Sequence, residues 1–232
     1  VELLVVIAVI AVMASLLLPA LLHAQQRARQ TECINNLKQI VMGFRNWASD
    51  NEDRFPWTRA PRLLPGQGPA GEATGPASGN TDSGVEDVAE YFRVISNELV
   101  TPKVLTCPAD RKRTPAVNWL ALEGGRNLSY FIGEDSLERY PQTLVTGDRN
   151  VFGSEGGTRL AFAIQPGKSI DAAWDRQLHR YKGNTALAGG SVHQTTTAIL
   201  REQIATALAT GSTNVVLLLP TDDDVGTRRP PR

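Results

Sequence analysis

The stretch Leu3-Leu4-Val5-Val6-Ile7-Ala8-Val9-Ile10-Ala11-Val12-Met13-Ala14-Ser15-Leu16-Leu17-Leu18-Pro19-Ala20-Leu21-Leu22 decides the fold. Only Ser15 and Pro19 interrupt its apolar character. A helix of twenty residues rises about 30 Å, the thickness of a bilayer's hydrocarbon core. A cleaved secretory signal needs a basic start and an apolar stretch of only about 7–15 residues. Here the visible start is Val1-Glu2, which is acidic, and the run is longer. The expectation is a retained membrane helix. Glu2 admits two readings. One is an anion at a helix N-terminus, favoured by the macrodipole and hydrated by headgroups. The other is a charge buried in an assembly and neutralised by a partner cation, because an acidic group at the bilayer centre costs about 2.5–3.5 kcal/mol.

Beyond the run, Cys33, Ile34, Leu37, Ile40, Val41, Phe44, Trp47 and Ala48 recur at spacings of three and four. That spacing draws one apolar stripe along a helix. Pro19 lacks an amide donor and crowds the preceding turn, so it predicts a kink rather than a stop. The pattern fades at Asp50-Asn51-Glu52-Asp53. The chain therefore opens with a single helix of about 48 residues, with 1–22 its transmembrane half and 23–53 its amphipathic stalk half. Such a helix is far longer than the globular mean of about 11–12 residues.

Between 56 and 84, five prolines and six glycines among 29 residues read as a long surface loop, placed at 54–84. Residues 85–220 form the expected head. Asp82-Ser83 offers a cap, and Val85, Val88, Ala89, Phe92, Val94 and Ile95 follow at roughly helical spacing. Short β-like runs cover Asn127 to Ile132, Thr143 to Thr146 and Arg159 to Ile164. Asn184 to Ala188 and Ser191 to Gln194 flank Gly189-Gly190, a hairpin signal of type I′ or II′. A helix is expected over Thr197 to Ala209 and a closing strand over Val215 to Leu219. A polar, proline-rich tail covers 221–232. The fold class is α+β, with a long helix packed on a small antiparallel sheet.

Composition narrows the function. Twenty-four basic and twenty-four acidic residues give zero formal charge, which argues against a dedicated nucleic-acid binder. Apolar residues at 41% and charged residues at 21% suit a packed core and exclude wholesale disorder. Two cysteines exclude a disulfide-dense mini-protein and a four-cysteine zinc site.

Several segments carry a resemblance. Glu2-Leu3-Leu4-Val5-Val6-Ile7-Ala8-Val9-Ile10 resembles the mature N-terminus of type IV pilins and secretion pseudopilins. Cys33-Ile34-Asn35-Asn36-Leu37-Lys38-Gln39-Ile40 is similar to the stalk of bacterial pilin-like proteins with a prepilin-type cleavage/methylation segment and an H-X9-DG motif. Further matches are Cys107-Pro108-Ala109-Asp110, Gly147-Asp148-Arg149-Asn150, and His179 through Gly183-Asn184 to Gly190-Ser191-Val192. The resemblance implies a lollipop-shaped subunit whose residues 1–22 pass from membrane to filament core. It implies that Glu2 pairs with a neighbouring subunit's N-terminal amine, and Pro19 loosens a turn during that transfer. It also implies a short basic leader and an aromatic first residue ahead of the segment seen here. Where the family has an aspartate after the nine residues following His179, this chain has Gly189, so no carboxylate role passes to that position.

The implied partners are other pilin-like subunits in a homo- or hetero-polymer, a prepilin peptidase, an inner-membrane assembly platform and the membrane itself. The implied location is the inner membrane, single-pass with the head periplasmic, then a periplasmic or cell-surface filament. Arg27 and Arg29 oppose that orientation by the positive-inside rule; in the family the leader outweighs them.

Cys33 and Cys107 are either buried, unlinked thiols or a disulfide closing a loop of about 75 residues, worth roughly 4 kcal/mol in the chain-entropy model. An exported head favours the disulfide, and a metal pair lacks companion ligands nearby in sequence. His179 and His193 flank the hairpin and lack a third zinc ligand in spacing; His23 reads as interfacial. Asp222, Asp223 and Asp224 are calcium candidates, weighed against a solvated acidic turn because EF-hand spacing is missing. No other cofactor is expected. Gly190-Ser191-Val192-His193 lacks the glycines of a nucleophile elbow, and no phosphate-cradling loop is present. The expected function is a non-enzymatic filament subunit. The alternative is a membrane-tethered periplasmic domain that binds a ligand or partner without polymerising.

Overall fold

A computed structural model describes residues 2–58, 88–153, 159–163, 169–210 and 214–220. The Asp82-Ser83 cap, most of the proline-rich loop, Asp222, Asp223, Asp224 and the arginine tail lie outside the described residues.

Helix α1 runs unbroken over Glu2–Ser49, through Pro19. After it, Asp53 N–H donates to Ala48 O at 3.0 Å, and Glu52 and Asp53 take left-handed φ of 61° and 54°. The polar segment that ends the apolar stripe thus turns the chain back. Pro56–Thr58 and Pro102–Leu105 form 3₁₀ turns, and α2 (Ala89–Val94) and α3 (Gly124–Asn127) are short. The strands are β1 (Tyr130–Gly133), β2 (Leu144–Asp148), β3 (Val151–Phe152), β4 (Arg159–Phe162), β5 (Ala173–Trp174), β6 (Lys182–Leu187), β7 (Val192–Thr196) and β8 (Val215–Leu218), with α4 (Thr197–Ala209) between the last two. Six of them make one sheet in the order β4-β8-β1-β2-β6-β7, antiparallel at every pairing. β3 and β5 pair separately. The molecule is α+β, a long helix followed by a small antiparallel sheet.

The sheet has helices on both faces. Tyr130, Ile132, Val145, Ala186, Val216 and Leu218 share a buried cluster with Leu37, Ile40, Val41 and Phe44 of α1. Their neighbours Phe131, Leu144, Leu187, Val215 and Leu217 point the other way, into a cluster with Leu200, Ile204, Ala207 and Leu208 of α4. Alternation of side chains along a strand explains the division. With both faces covered, β1 and β8 lose their polar positions and read as apolar runs, whereas β2 and β6 bury Thr146, Asp148, Asn184 and Thr185. The sequence pattern leads to α1 on the sheet; the second helical layer is an addition.

Two expectations need correcting. The stretch from Asn127 begins as the end of α3, and its strand starts at Tyr130. The hairpin is not a two-residue turn. Gly190 N–H donates to Leu187 O at 2.8 Å and Leu187 N–H to Ser191 O at 2.9 Å, giving a three-residue loop. Of its two glycines only Gly190 has positive φ, 85°, as in a type I turn closed by a left-handed residue.

The two halves of α1 meet different surroundings. Burial begins at Cys33 and recurs at Leu37, Ile40, Val41, Phe44 and Ala48. From Leu3 to Leu22 every large apolar side chain is exposed, Leu3 by 77% and Leu16 by 73%. This half is long and apolar enough to span a membrane, and none of its apolar window is buried among the described residues.

Candidate functional site

Three motif segments, far apart in sequence, converge where α1 meets the head. Cys107 is joined to Cys33 of α1 by a disulfide with Cα atoms 5.2 Å apart. Beside it, Asn36 of α1 donates to Thr106 O at 3.4 Å. The turn after Cys107 closes with Asp110 N–H on Cys107 O at 2.9 Å, which brings the Asp110 carboxylate inside. There it receives Arg149 as a fork, Nε to Oδ2 at 2.7 Å and Nη2 to Oδ1 at 2.9 Å. Ser129 Oγ and the Lys112 amide complete its shell at 2.9 and 3.1 Å. Both charged side chains are all but fully buried, at 1% and 2% exposure. Such a pair holds because its geometry is bidentate and its remaining lone pairs are filled.

The residues flanking Arg149 tie down two further segments. Asp148 Oδ2 accepts from the Asn184 backbone N–H at 2.7 Å and from its side-chain amide at 2.9 Å. Asn150 Nδ2 donates to Asp175 O and Lys182 O at 3.2 and 3.0 Å. Gly147-Asp148-Arg149-Asn150 is therefore a hub joining the cysteine turn, β6 and the 175–182 loop.

That loop delivers His179. Its Nε2 lies 3.4 Å from Asp148 Oδ2 and 3.5 Å from Cys107 Sγ. Burial pushes Asp148 up to about 8, against the hydrogen bonds from Asn184. Its second oxygen, Oδ1, accepts no hydrogen bond among the described residues. Burial also lowers His179 to about 4. Removing each group from water disfavours its charged form. Between those two values the pair keeps a single proton.

The sequence reading found no companion ligand for the cysteines, whereas the fold supplies one: Cys33, Cys107 and His179 offer ligand atoms all within 4.8 Å of each other. In the disulfide the two sulfurs are spent on each other and neither is a thiolate, which is the form that binds metal. His179 thus faces a disulfide and a carboxyl group. His193 is not in this group; it contacts Ser191 Oγ at 3.0 Å on exposed β7.

The other sequence-selected positions divide. Gly183 and Asn184 belong to the cluster, and Gly183 lets Trp174 lie against the backbone, since a Cβ there would sit 2.5 Å from its ring. Gly189 and Gly190 sit instead at the hairpin loop, where Arg45 of α1 donates to Gly189 O at 3.1 Å. A Cβ on Gly189 would meet Pro141 at 3.2 Å. Glu2 and Pro19 lie on the exposed half of α1.

Sequence reasoning quoted Asp110, Asp148 and Arg149 within motifs but assigned them no role. It also missed a cleft of about 490 Å³ beside them, lined by Gln26, Arg29 and Gln30 of α1 together with Arg111, Lys112, Arg176 and Arg180. The only signal was the number of arginines in loops that the fold brings together. Compared with protein-family models, with curated proteins and with solved structures, the chain matches none.

Proposed function

We propose that this chain is a non-enzymatic subunit of a type IV pilus-like or type II secretion pseudopilus-like filament. It is held before assembly in the inner membrane by the first half of α1, with its head on the periplasmic side. The observation that carries this reading is the division of one continuous helix. Its second half buries one face in the head from Cys33 onward, while its first half presents large exposed apolar side chains and is nowhere buried among the described residues. A helix apolar all round needs an apolar surround, either lipid or other helices of its kind.

In the proposed cycle the surround changes from lipid to neighbouring copies. Head-to-tail contacts between copies are heterologous and propagate as a helical filament. Glu2, the one charge on this half, sets register by pairing with a neighbour's amine, because an unpaired charge in a dry bundle is expensive. The resemblance at Glu2 to Ile10 supports the same reading. A prepilin peptidase and an inner-membrane assembly platform are its proposed partners.

Immunogold microscopy of native surface filaments, using antibody to residues 85–219, tests the proposal. Labelled filaments support it. Label confined to membranes favours the non-polymerising tether. Glu2→Lys is expected to abolish filament incorporation and leave membrane insertion intact; normal filaments from that variant count against the pairing.

A further inference from the structure

The cleft at the foot of the head is far more basic than the chain as a whole. Formal charge is zero over 232 residues, yet Arg29, Arg111, Lys112, Arg149, Arg176 and Arg180 all line this one cavity, with Asp110 the single acid among the described lining residues. Asp110 is occupied by Arg149, so among the described residues Arg29, Arg111, Arg176 and Arg180 have no other carboxylate on the lining to offset them. Four guanidinium groups call for an acceptor-rich anion. Phosphate and carboxylate both answer that chemistry, since guanidinium groups bind either in forked pairs.

Position selects the source of the phosphate. Gln26 and Arg29 follow Leu22 by four and seven residues on the same helix, a rise of about 6 and 10 Å. The headgroup layer beyond the hydrocarbon is about 5–8 Å deep on each side of a bilayer. When Leu3 to Leu22 fill the hydrocarbon core, the cleft begins at the outer edge of the headgroup layer, with Gln26 inside that layer and Arg29 about 2–5 Å beyond it, a gap that a long guanidinium side chain spans. Arg180 reaches the lining from a turn in which it and Tyr181 hold left-handed φ of 53° and 63°. A concave site of about 490 Å³ also matches the size of small-ligand sites, roughly 300–1,000 Å³, rather than a flat protein face.

We propose that this cleft binds the headgroup of an anionic phospholipid, so that the head of the membrane-held subunit is seated on the bilayer as well as tethered to it. The proposal rests on the reading that α1 spans the membrane, and not on polymerisation. A seated head fixes the direction in which the stalk leaves the lipid, and releasing that headgroup becomes part of leaving the membrane.

The test uses the full chain in uncharged maltoside micelles, titrated calorimetrically with dihexanoyl phosphatidylglycerol, dihexanoyl phosphatidylcholine, inorganic phosphate and an oligoglutamate peptide. Phosphatidylglycerol is expected to bind at least tenfold more tightly than the other three, and more weakly as salt is raised. The variant Arg29→Gln/Arg111→Gln/Arg176→Gln/Arg180→Gln is expected to lose at least tenfold of that affinity with unchanged circular dichroism. These side chains are exposed; should the quadruple variant misfold, Arg111→Glu and Arg176→Glu singly must each weaken binding. Equal binding of the two lipids, undiminished binding by the variants, or equal binding of phosphate or oligoglutamate overturns the assignment. Alkaline carbonate extraction separates the two layers of inference: protein released from membranes refutes the spanning helix, whereas retained protein without lipid preference refutes the cleft alone.

Discussion

Arg149 and Asp110 form a forked ion pair at 2.7 and 2.9 Å in the interior of the head, across 39 residues of sequence. The pair sits one turn from the disulfide and beside the Asp148–His179 contact, so it is the centre of the joint between stalk and sheet.

Asp110→Asn leaves a buried guanidinium without its counter-charge. Removing one partner of a buried pair costs about 3–5 kcal/mol, whereas replacing both by apolar groups of similar size is often close to neutral. Urea unfolding of Asp110→Asn and of Asp110→Leu/Arg149→Met should therefore show a large loss in the first and recovery of most of it in the second. Equal loss in both would mean that the neighbouring hydrogen bonds, not the charge, carry the stability.

Asp148 and His179 set a pH dependence. The folded Asp148 keeps a proton up to about 8, from an ordinary value of 3.8, so its contribution is complete at low pH and is lost as pH rises. His179, lowered from 6.5 to about 4, acts in the opposite sense, favouring the folded state as pH rises between those values. The two slopes cancel from about 4 to 6.5, and the Asp148 slope stands alone from 6.5 to 8. Stability is expected to fall over that last interval by up to about 2 kcal/mol, at 1.36 kcal/mol per pH unit. Denaturation midpoints at pH 6.5 and 8.0 should drop in the wild type and stay level in Asp148→Asn. A matching drop in the variant assigns the effect elsewhere.

Cys33 and Cys107 close a sequence separation of 74 residues and pin the head to α1. Cys33→Ala/Cys107→Ala is expected to lose roughly 4 kcal/mol, mainly through the freed unfolded chain. Unfolding of the variant beside oxidised wild type measures it, with thiol titration of the denatured wild type expected to find no free cysteine.

Gly183→Ala places a methyl group 2.5 Å from the Trp174 ring, which is 1% exposed and held by its Nε1 on Thr195 Oγ1 at 3.1 Å. The ring cannot yield without breaking that bond, so the cost is about 1–3 kcal/mol, typical of overpacking. The same substitution at Gly190 strains a φ of 85° and crowds Arg45, loosening the hairpin from α1. Thermal melts should rank both variants below wild type. A neutral Gly183→Ala would show that β6 and β5 separate easily.

The sequence by itself determined α1, because an apolar run and a three-and-four stripe are properties of neighbouring residues. It also determined α4, whose Thr197–Ala209 span matches its apolar spacing, and the β6–β7 pairing, though not the form of its turn. Only the tertiary structure decided the second helical layer: Phe131 faces α4 while Tyr130 and Ile132 face α1, and burial on both sides erases the alternation that would have told the faces apart. Only the tertiary structure, too, decided that Asp110, Asp148, Arg149 and His179 share one interior and that Arg29, Arg111, Arg176 and Arg180 share one cleft. Helix and strand follow from short-range periodicity, but the meeting of charges depends on strand register and on the path of loops, which no local spacing encodes.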